Sequence, residues 1–415
     1  ADLEERIAEL EATTVRKGNR KVSLTVTGWV SSAVMFWDDG EESNAYITQD
    51  STDLASNVSF TGSAQINSDW SAGYLINVFF DDTNSLLVTQ NNDDAGPGVN
   101  VQRSFWYLQS KKYGKVSVGL QSSAGDNVAI LTDFTGTLFH ANSVIFDGAF
   151  MFLRPEGGTG ALSGGQFQDL LFCNSVGVGI TQDCNGLRTN AVRYDTPTIA
   201  GFGASASFGE DDAWETAIRY AGEGAGFKYS FAAGYAWVNG DGLVTAAGVP
   251  IDTENFQAGL TIKHLPSALW VHATYGHEDT DNADVLDGDA WFVKAGISPK
   301  LNSLGTTHIF GVWGINNDTA GVYELGSGTA CARLGGAGGN IGAACAADPL
   351  VDVTGSESVR LGAGIVQEID AASMNLFVKW VHMSPEIDFV DTAGVAGTQE
   401  FDNMNVILVG GYIFF

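Results

Sequence analysis

The chain has 415 residues and carries 20 Lys+Arg against 49 Asp+Glu, a formal net charge of −29; so acidic a chain excludes a nucleic-acid backbone as partner. Gly is abundant at 52 and Pro scarce at 8, with 11% aromatic residues, which suits many extended strands joined by turns. No apolar run reaches the ~18 residues of a helical membrane span, but a barrel strand crosses with only about 9 to 11 alternating residues, so a membrane barrel stays open.

The chain opens Ala1-Asp2 without Met and without a basic-then-apolar leader, which reads as a mature, exported chain after cleavage at a small residue. Leu3, Ile7 and Leu10 then recur at steps of four and three, the a/d spacing of a coiled coil. So short a segment is marginal as an isolated helix. Residues 1–18 are therefore expected as a periplasmic coiled-coil segment that forms when three copies meet, with a frayed tail or a tether as alternatives. Residues 19–415 are expected as a single barrel.

The clearest period-2 segment is 57–67, where Asn57, Ser59, Thr61, Ser63, Gln65 and Asn67 alternate with Val58, Phe60, Gly62, Ala64 and Ile66. Lys228, Ser230, Ala232 and Gly234 alternate likewise with Phe227, Tyr229, Phe231, Ala233, Tyr235 and Trp237. Strands are predicted at 21–36, 54–68, 71–80, 101–110, 114–121, 190–196, 199–208, 213–221, 226–238, 254–263, 268–277, 289–298, 305–316, 356–368, 372–382 and 402–415. Every second connection is a short turn, as at 111–113, 222–225, 264–267 and 370–371, and the others are generally longer. A soluble β-sandwich also alternates. It has no reason to sort its loops by length, whereas an even-stranded outer-membrane barrel with both termini on the short-turn side does. Trp70, Tyr113, Tyr194, Tyr220, Trp237, Tyr275, Trp291, Trp380 and Tyr412, near strand ends, are expected as interface girdles. The expected fold is all-β, a transmembrane sixteen-stranded antiparallel barrel, with its last strand paired to the first so that no edge meets lipid.

The connection over 122–189 is far longer than an ordinary one. Phe134, Leu138, Phe139, Val144, Ile145, Phe146, Phe150, Met151, Phe152, Leu153, Leu170, Leu171 and Phe172 give it an apolar load that must be buried, and a barrel of about 16 strands has an aqueous lumen wide enough to receive it. The loop is acidic, with Asp126, Asp133, Asp147, Glu156, Asp169 and Asp183 against Arg154 and Arg188. Arg103, Arg193, Arg219, Lys228, Lys263, Lys294 and Arg360 fall on the polar phase of their strands, hence on the lumen side, because charge facing lipid costs about 2 to 4 kcal/mol. Acidic loop against basic wall predicts a transverse field at a constriction built from Asp126, Asp133, Asp147, Glu156, Asp169, Arg103, Arg193, Arg219, Lys228 and Arg360. Solvated or structurally paired charges are the alternative for each.

The four cysteines lie in two close pairs. Four cysteines allow three connectivities, and sequence proximity alone selects Cys173 with Cys184 and Cys331 with Cys345 as loop staples. The Gly-rich stretch 335–342 lacks the Lys-Ser/Thr ending and following helix pattern of a phosphate loop. The acidic stretches Asp38-Asp39-Gly40-Glu41-Glu42 and 279–289 are candidate Ca²⁺ ligands, though no EF-hand loop is present; no other cofactor is expected.

The chain closes Tyr412-Ile413-Phe414-Phe415, which resembles the outer-membrane signal whose terminal Phe, here Phe415, is read by the barrel-assembly machinery. Several segments carry a wider resemblance: Arg16-Lys17-Gly18-Asn19-Arg20-Lys21-Val22-Ser23-Leu24, Ile66-Asn67-Ser68-Asp69-Trp70-Ser71-Ala72-Gly73-Tyr74, Gly114-Lys115-Val116-Ser117-Val118-Gly119-Leu120-Gln121, and Asn190-Ala191-Val192-Arg193-Tyr194-Asp195-Thr196-Pro197 with Gly201-Phe202. Over essentially its whole length the chain is similar to alphaproteobacterial general porins. The resemblance implies a sixteen-stranded homotrimer whose third loop narrows the lumen. Gln121 stands where many porins carry Arg, which implies a less basic filter.

The expected function is a water-filled outer-membrane channel for passive diffusion of small hydrophilic solutes and ions. The acidic mouths should make it modestly cation-preferring. Its expected partners are two further copies, outer-membrane lipid and lipopolysaccharide, and the barrel-assembly machinery. A solute-specific channel is the alternative reading. An outer-membrane hydrolase is a weaker one, since the six His show neither H-E-x-x-H nor a G-x-S-x-G elbow.

Overall fold

The computed structural model describes residues 22–50, 54–96, 98–144, 147–171, 188–209, 212–238, 252–281, 286–320 and 330–415. Leu3, Ile7, Leu10, Cys173, Cys184 and Asp183 lie outside the described residues, as do Ile145, Phe146 and Phe172. Strict alternation sets the strands: in β10 (Phe227–Val238), Ala232 and Ala236 are buried while Phe227 and Phe231 are exposed. A residue period of two puts one set of side chains on each face.

The strands form one closed sheet of eighteen segments, all antiparallel neighbours. β1 (Thr25–Asp38) pairs from Trp29 to Asp38 with β18 (Met404–Phe414), which closes the barrel and removes the edge that hydrocarbon would leave unsatisfied. β2 (Ser43–Thr48) and β3 (Ser56–Gln65) both pair with β1 and act as one interrupted stave. β17 (Ala396–Glu400) and β18 do the same against β16 (Met374–Val390). The barrel is thus sixteen-stranded in staves. The remaining staves are β4 (Trp70–Asp81), β5 (Gly98–Ser110), β6 (Gly114–Ser122), β7 (Arg188–Asp195), β8 (Phe202–Gly209) and β9 (Trp214–Gly224), then β10, β11 (Thr253–His264), β12 (Leu269–Thr280), β13 (Gly288–Ile297), β14 (Thr307–Asn317) and β15 (Asp352–Ile369).

Differences from the predicted strands gather at the long-loop end. β2 replaces what reads as loop, because the acidic turn 39–42 simply folds β1 back on itself. β15 and β16 run to 18 and 17 residues and project past their predicted ends. The long connection expected over 37–53 is divided by β2, which leaves only the turn 39–42 after β1. At the other end the turns are tight: Ala225 and Gly226 both take positive φ, 51° and 81°, the twist a two-residue hairpin requires. Aromatic pairs sit towards both rims. Trp70 lies 6.4 Å from Tyr113, Tyr220 lies 5.9 Å from Tyr229, Trp214 lies 5.4 Å from Tyr235 and Tyr275 lies 4.5 Å from Trp291.

Candidate functional site

The connection between β6 (ending at Ser122) and β7 (beginning at Arg188) is long enough to reach across the barrel, and its described part packs along the inward faces of the strands. Its start is held by β8 and β9. The Ala124 amide donates to Ser207 Oγ at 2.8 Å, the Gly125 amide to Glu215 Oε2 at 2.7 Å, and Arg219 donates to the Ala124 carbonyl at 2.7 Å. Arg193 donates to the Ser123 carbonyl at 2.8 Å and also pairs with Asp195. The loop then presses on β10 and β11 where the wall has no side chain. A Cβ at Gly234 would come 2.8 Å from Val128, and one at Gly259 would come 2.1 Å from the Ala129 carbonyl oxygen.

Beyond this seat the loop is riveted by charge. Lys294 of β13, fully buried, donates to Asp133 and to the Ala141 carbonyl. Arg360 of β15 donates to the Asn142 carbonyl at 2.8 Å and stacks its guanidinium 4.8 Å from the Phe292 ring. Lys379 of β16 holds two carboxylates, Asp50 at 2.7 Å and Asp147 at 2.8 Å. Tyr412 donates to Asp50 at 2.9 Å and Ser85 to Asp147 at 2.6 Å, so four separate chain segments meet at one ammonium. Burial drives the Asp50 carboxyl up to about 6, against the pull of Lys379. Burial also acts upward on Asp133, but Lys294 and His272 outweigh it and hold that carboxyl below its ordinary value. Buried ions of this kind persist only with near-complete partners.

The apolar load lies where burial demands. Phe139 stacks 5.5 Å from Trp29 and 6.0 Å from Phe414, and His140 lies 4.7 Å from Phe377. Met151, Leu153 and Leu170 are fully buried in one cluster with Met35, Val406 and Leu408 of the wall. The outer part of the loop is clasped from above by two helices, α1 (Ala330–Leu334) and α2 (Gly339–Ala347), joined by the Cys331–Cys345 disulfide with Cα atoms 5.3 Å apart. The second of these helices begins within the Gly-rich stretch 335–342 and runs past it, a helix that the sequence pattern does not announce. Arg333 of α1 pairs with Asp169 at 2.9 Å, although burial still raises that carboxyl to about 6.

Of the residues singled out from sequence, Asp133, Asp147, Arg193, Arg219 and Arg360 meet at the loop–wall interface, while Asp126 is buried near its start. Lys228 lies beneath the loop with its ammonium 4.5 Å from the Phe134 ring. Arg103 is half-buried on β5. Glu156 is exposed at the long-loop rim, where its amide bonds the Glu400 carbonyl, and Asp169 faces α1 rather than the wall. Asp50, Ser85, Glu215 and Lys379 also belong to the interface, and they are not among the residues expected from the sequence. Lys379 was findable, since it sits in the phase opposite Val378 and Trp380. Among the described residues no group of three or more His, Cys, Asp or Glu is placed to hold a metal ion.

The family model for Gram-negative porins matches residues 8–309. Among solved structures, the anion-selective porin from Comamonas acidovorans is 13% identical, with 95% of this chain and 100% of that one covered and a TM-score of 0.59. The trimer form of Vibrio cholerae OmpT is 12% identical over 95% and 99%, with a TM-score of 0.53. The outer membrane channel DcaP of Acinetobacter baumannii is 11% identical over 96% and 99%, with a TM-score of 0.51. At such identities these structures speak to the fold alone, and no curated protein matches the sequence. With a family match across most of the chain and a closed barrel holding an inserted loop, the chain belongs to the Gram-negative porin family and forms an outer-membrane channel for small solutes.

Proposed function

We propose that this porin is a general, non-specific homotrimeric channel, akin to the alphaproteobacterial members, in which the loop after β6 sets the solute size limit. The observation that carries this reading is the run of contacts from Ala124 to Asp147 along the inner wall. A loop so fastened narrows the lumen without closing it. The apolar Leu131, 58% exposed, and Phe134 then border the remaining opening. Single-channel recording tests the size limit. Loosening the loop should raise conductance and admit larger neutral polymers, while unchanged polymer exclusion after loosening would remove the loop as the limiting element.

Trimerisation is proposed by analogy with the trimer form of the Vibrio cholerae relative, with Leu3, Ile7 and Leu10 as the coiled-coil contacts between subunits. Removing residues 1–18 should lower the temperature at which trimers dissociate. Lipopolysaccharide is the proposed outer-leaflet neighbour, and Phe415 the residue read during barrel assembly. Cation preference is assigned to the outer mouth, where Asp318, Glu357, Glu386 and Asp388 line a cavity of about 280 Å³ and Asp38, Glu41 and Glu42 follow on the β1–β2 turn. A reversal potential showing anion preference in a salt gradient contradicts it. Ca²⁺ is proposed for the acidic stretches 38–42 and 279–289. A chelator then lowers the melting temperature, and an unchanged value removes that idea.

A further inference from the structure

The transverse field expected from an acidic loop facing a basic wall is largely spent inside the protein. Asp133 is taken by Lys294, Asp147 and Asp50 by Lys379, and Asp169 by Arg333. The wall cations are used in the same contacts: Lys294, Lys379 and Arg360 are at most 4% exposed, and Arg193 and Arg219 are turned to loop carbonyls. Lys228 and Lys263 stand apart from this. They are directly opposite one another on β10 and β11, in the lumen phase near the short-turn end. Among the described residues neither takes part in an ion pair. Two like charges facing across neighbouring strands destabilise a sheet, so nothing in the packing favours the pair.

Their neighbours leave both charges available to the channel. Glu223 is the register partner of Lys228 on β9, yet the Lys228 ammonium lies over the Phe134 ring at 4.5 Å and makes no bond to that carboxylate. Glu368, whose charge reaches Lys263, lies 3.1 Å from His308 Nε2, an ion pair only when that imidazole is protonated, and makes no ion pair with Lys263. On the other side, Lys263 is opposite Trp270. Resting on the channel reading above, we propose that Lys228 and Lys263 form an anion-attracting selectivity element just below the loop. It stands in series with the acidic outer mouth and favours small carboxylate- or phosphate-bearing solutes from the periplasmic side. The charge asymmetry then runs along the pore axis rather than across it. A mouth rich in cations followed by a zone rich in anions conducts unequally in the two directions, because one polarity fills the junction with both ions and the other empties it.

The test is planar-bilayer recording of the purified full-length porin against Lys228→Gln/Lys263→Gln, each single variant, and Lys111→Gln/Lys112→Gln in the 111–113 turn as a control. The lumen pair should raise the potassium-to-chloride permeability ratio by about twofold or more and flatten the asymmetry between positive and negative voltages. Inorganic phosphate added on the short-turn side should alter wild-type current more than phosphate added on the other side, and this difference should vanish in the double variant. The single variants should give intermediate shifts, which keeps the test available if the double variant fails to assemble. Unchanged selectivity in the lumen variants, or an equal shift in the turn control, overturns the proposal while leaving the channel intact. A wild-type protein that gives no channels overturns the channel reading itself.

Discussion

Replacing Lys379 by Met keeps the length and most of the volume of the side chain and removes only its charge. What it leaves behind is severe: Asp50 and Asp147, both buried, lose the ammonium that holds them at 2.7 and 2.8 Å. Stripping one partner from a buried ion pair costs about 3 to 5 kcal/mol, which at about 1.4 kcal/mol per decade is a hundredfold or more in the ratio of docked to undocked loop. The barrel ladder itself does not pass through these contacts, since β16 keeps its pairing with β15 and β18. The loss should therefore appear in the loop and not in the fold. Single-channel traces of Lys379→Met are expected to show frequent conductance fluctuations and a raised mean conductance, with heat-modifiable barrels unaltered on gels. Adding Asp50→Asn and Asp147→Asn should quieten the traces again, because a cluster made wholly neutral leaves no buried ion uncompensated. A quiet Lys379→Met channel with wild-type conductance, or a triple variant noisier than the single, would refute the reasoning.

Gly259→Val drives a branched side chain into the Ala129 carbonyl, 2.1 Å from the ideal Cβ, and should open the pore as Lys379→Met does, whereas the same change at Gly311, where a Cβ comes no closer than 3.9 Å to its neighbours, should leave conductance unaltered. Cys331→Ser with Cys345→Ser opens a staple whose ends are 14 residues apart, a loss of roughly 3 kcal/mol confined to the α1–α2 clasp; limited proteolysis should cut near 330–347 faster while the barrel melts at the same temperature. Burial holds His140 well below its ordinary 6.5, with Lys379, Lys294 and His308 adding to the effect. A base depressed in the folded state stabilises docking fully above the unfolded value and loses that contribution as pH falls below it, so acidification should increase channel noise, and His140→Phe, which fits beside Phe377 and Tyr412, should reduce the increase. An unchanged pH response in that variant counts against the assignment.

The barrel was legible in the sequence because membrane strands leave little freedom. Lipid on one side and water on the other force alternation, so β10 and β11 are read from their residues almost to the ends. The upper half of the second stave was not legible, because Asp38-Asp39-Gly40-Glu41-Glu42 has the composition of a loop whether it spans a gap or folds a tight hairpin. The inserted loop betrayed itself through length and apolar content, and its wall partners through phase. Which acid meets which base was beyond reach, since Asp133 and Lys294 are 161 residues apart and Asp50 and Lys379 are 329 apart, and nothing local encodes such a pairing. That distance also explains why the expected transverse field looked plausible. Parity places charges in the lumen but does not say that they will neutralise one another there.

Single-channel conductance of the purified wild-type protein in a planar bilayer, read with neutral polymers of graded size, tests the central claim most directly. The account predicts stepwise, salt-proportional conductance and a sharp polymer cutoff that moves to larger sizes in Lys379→Met. Absence of steps, or a cutoff identical in the two proteins, would contradict it.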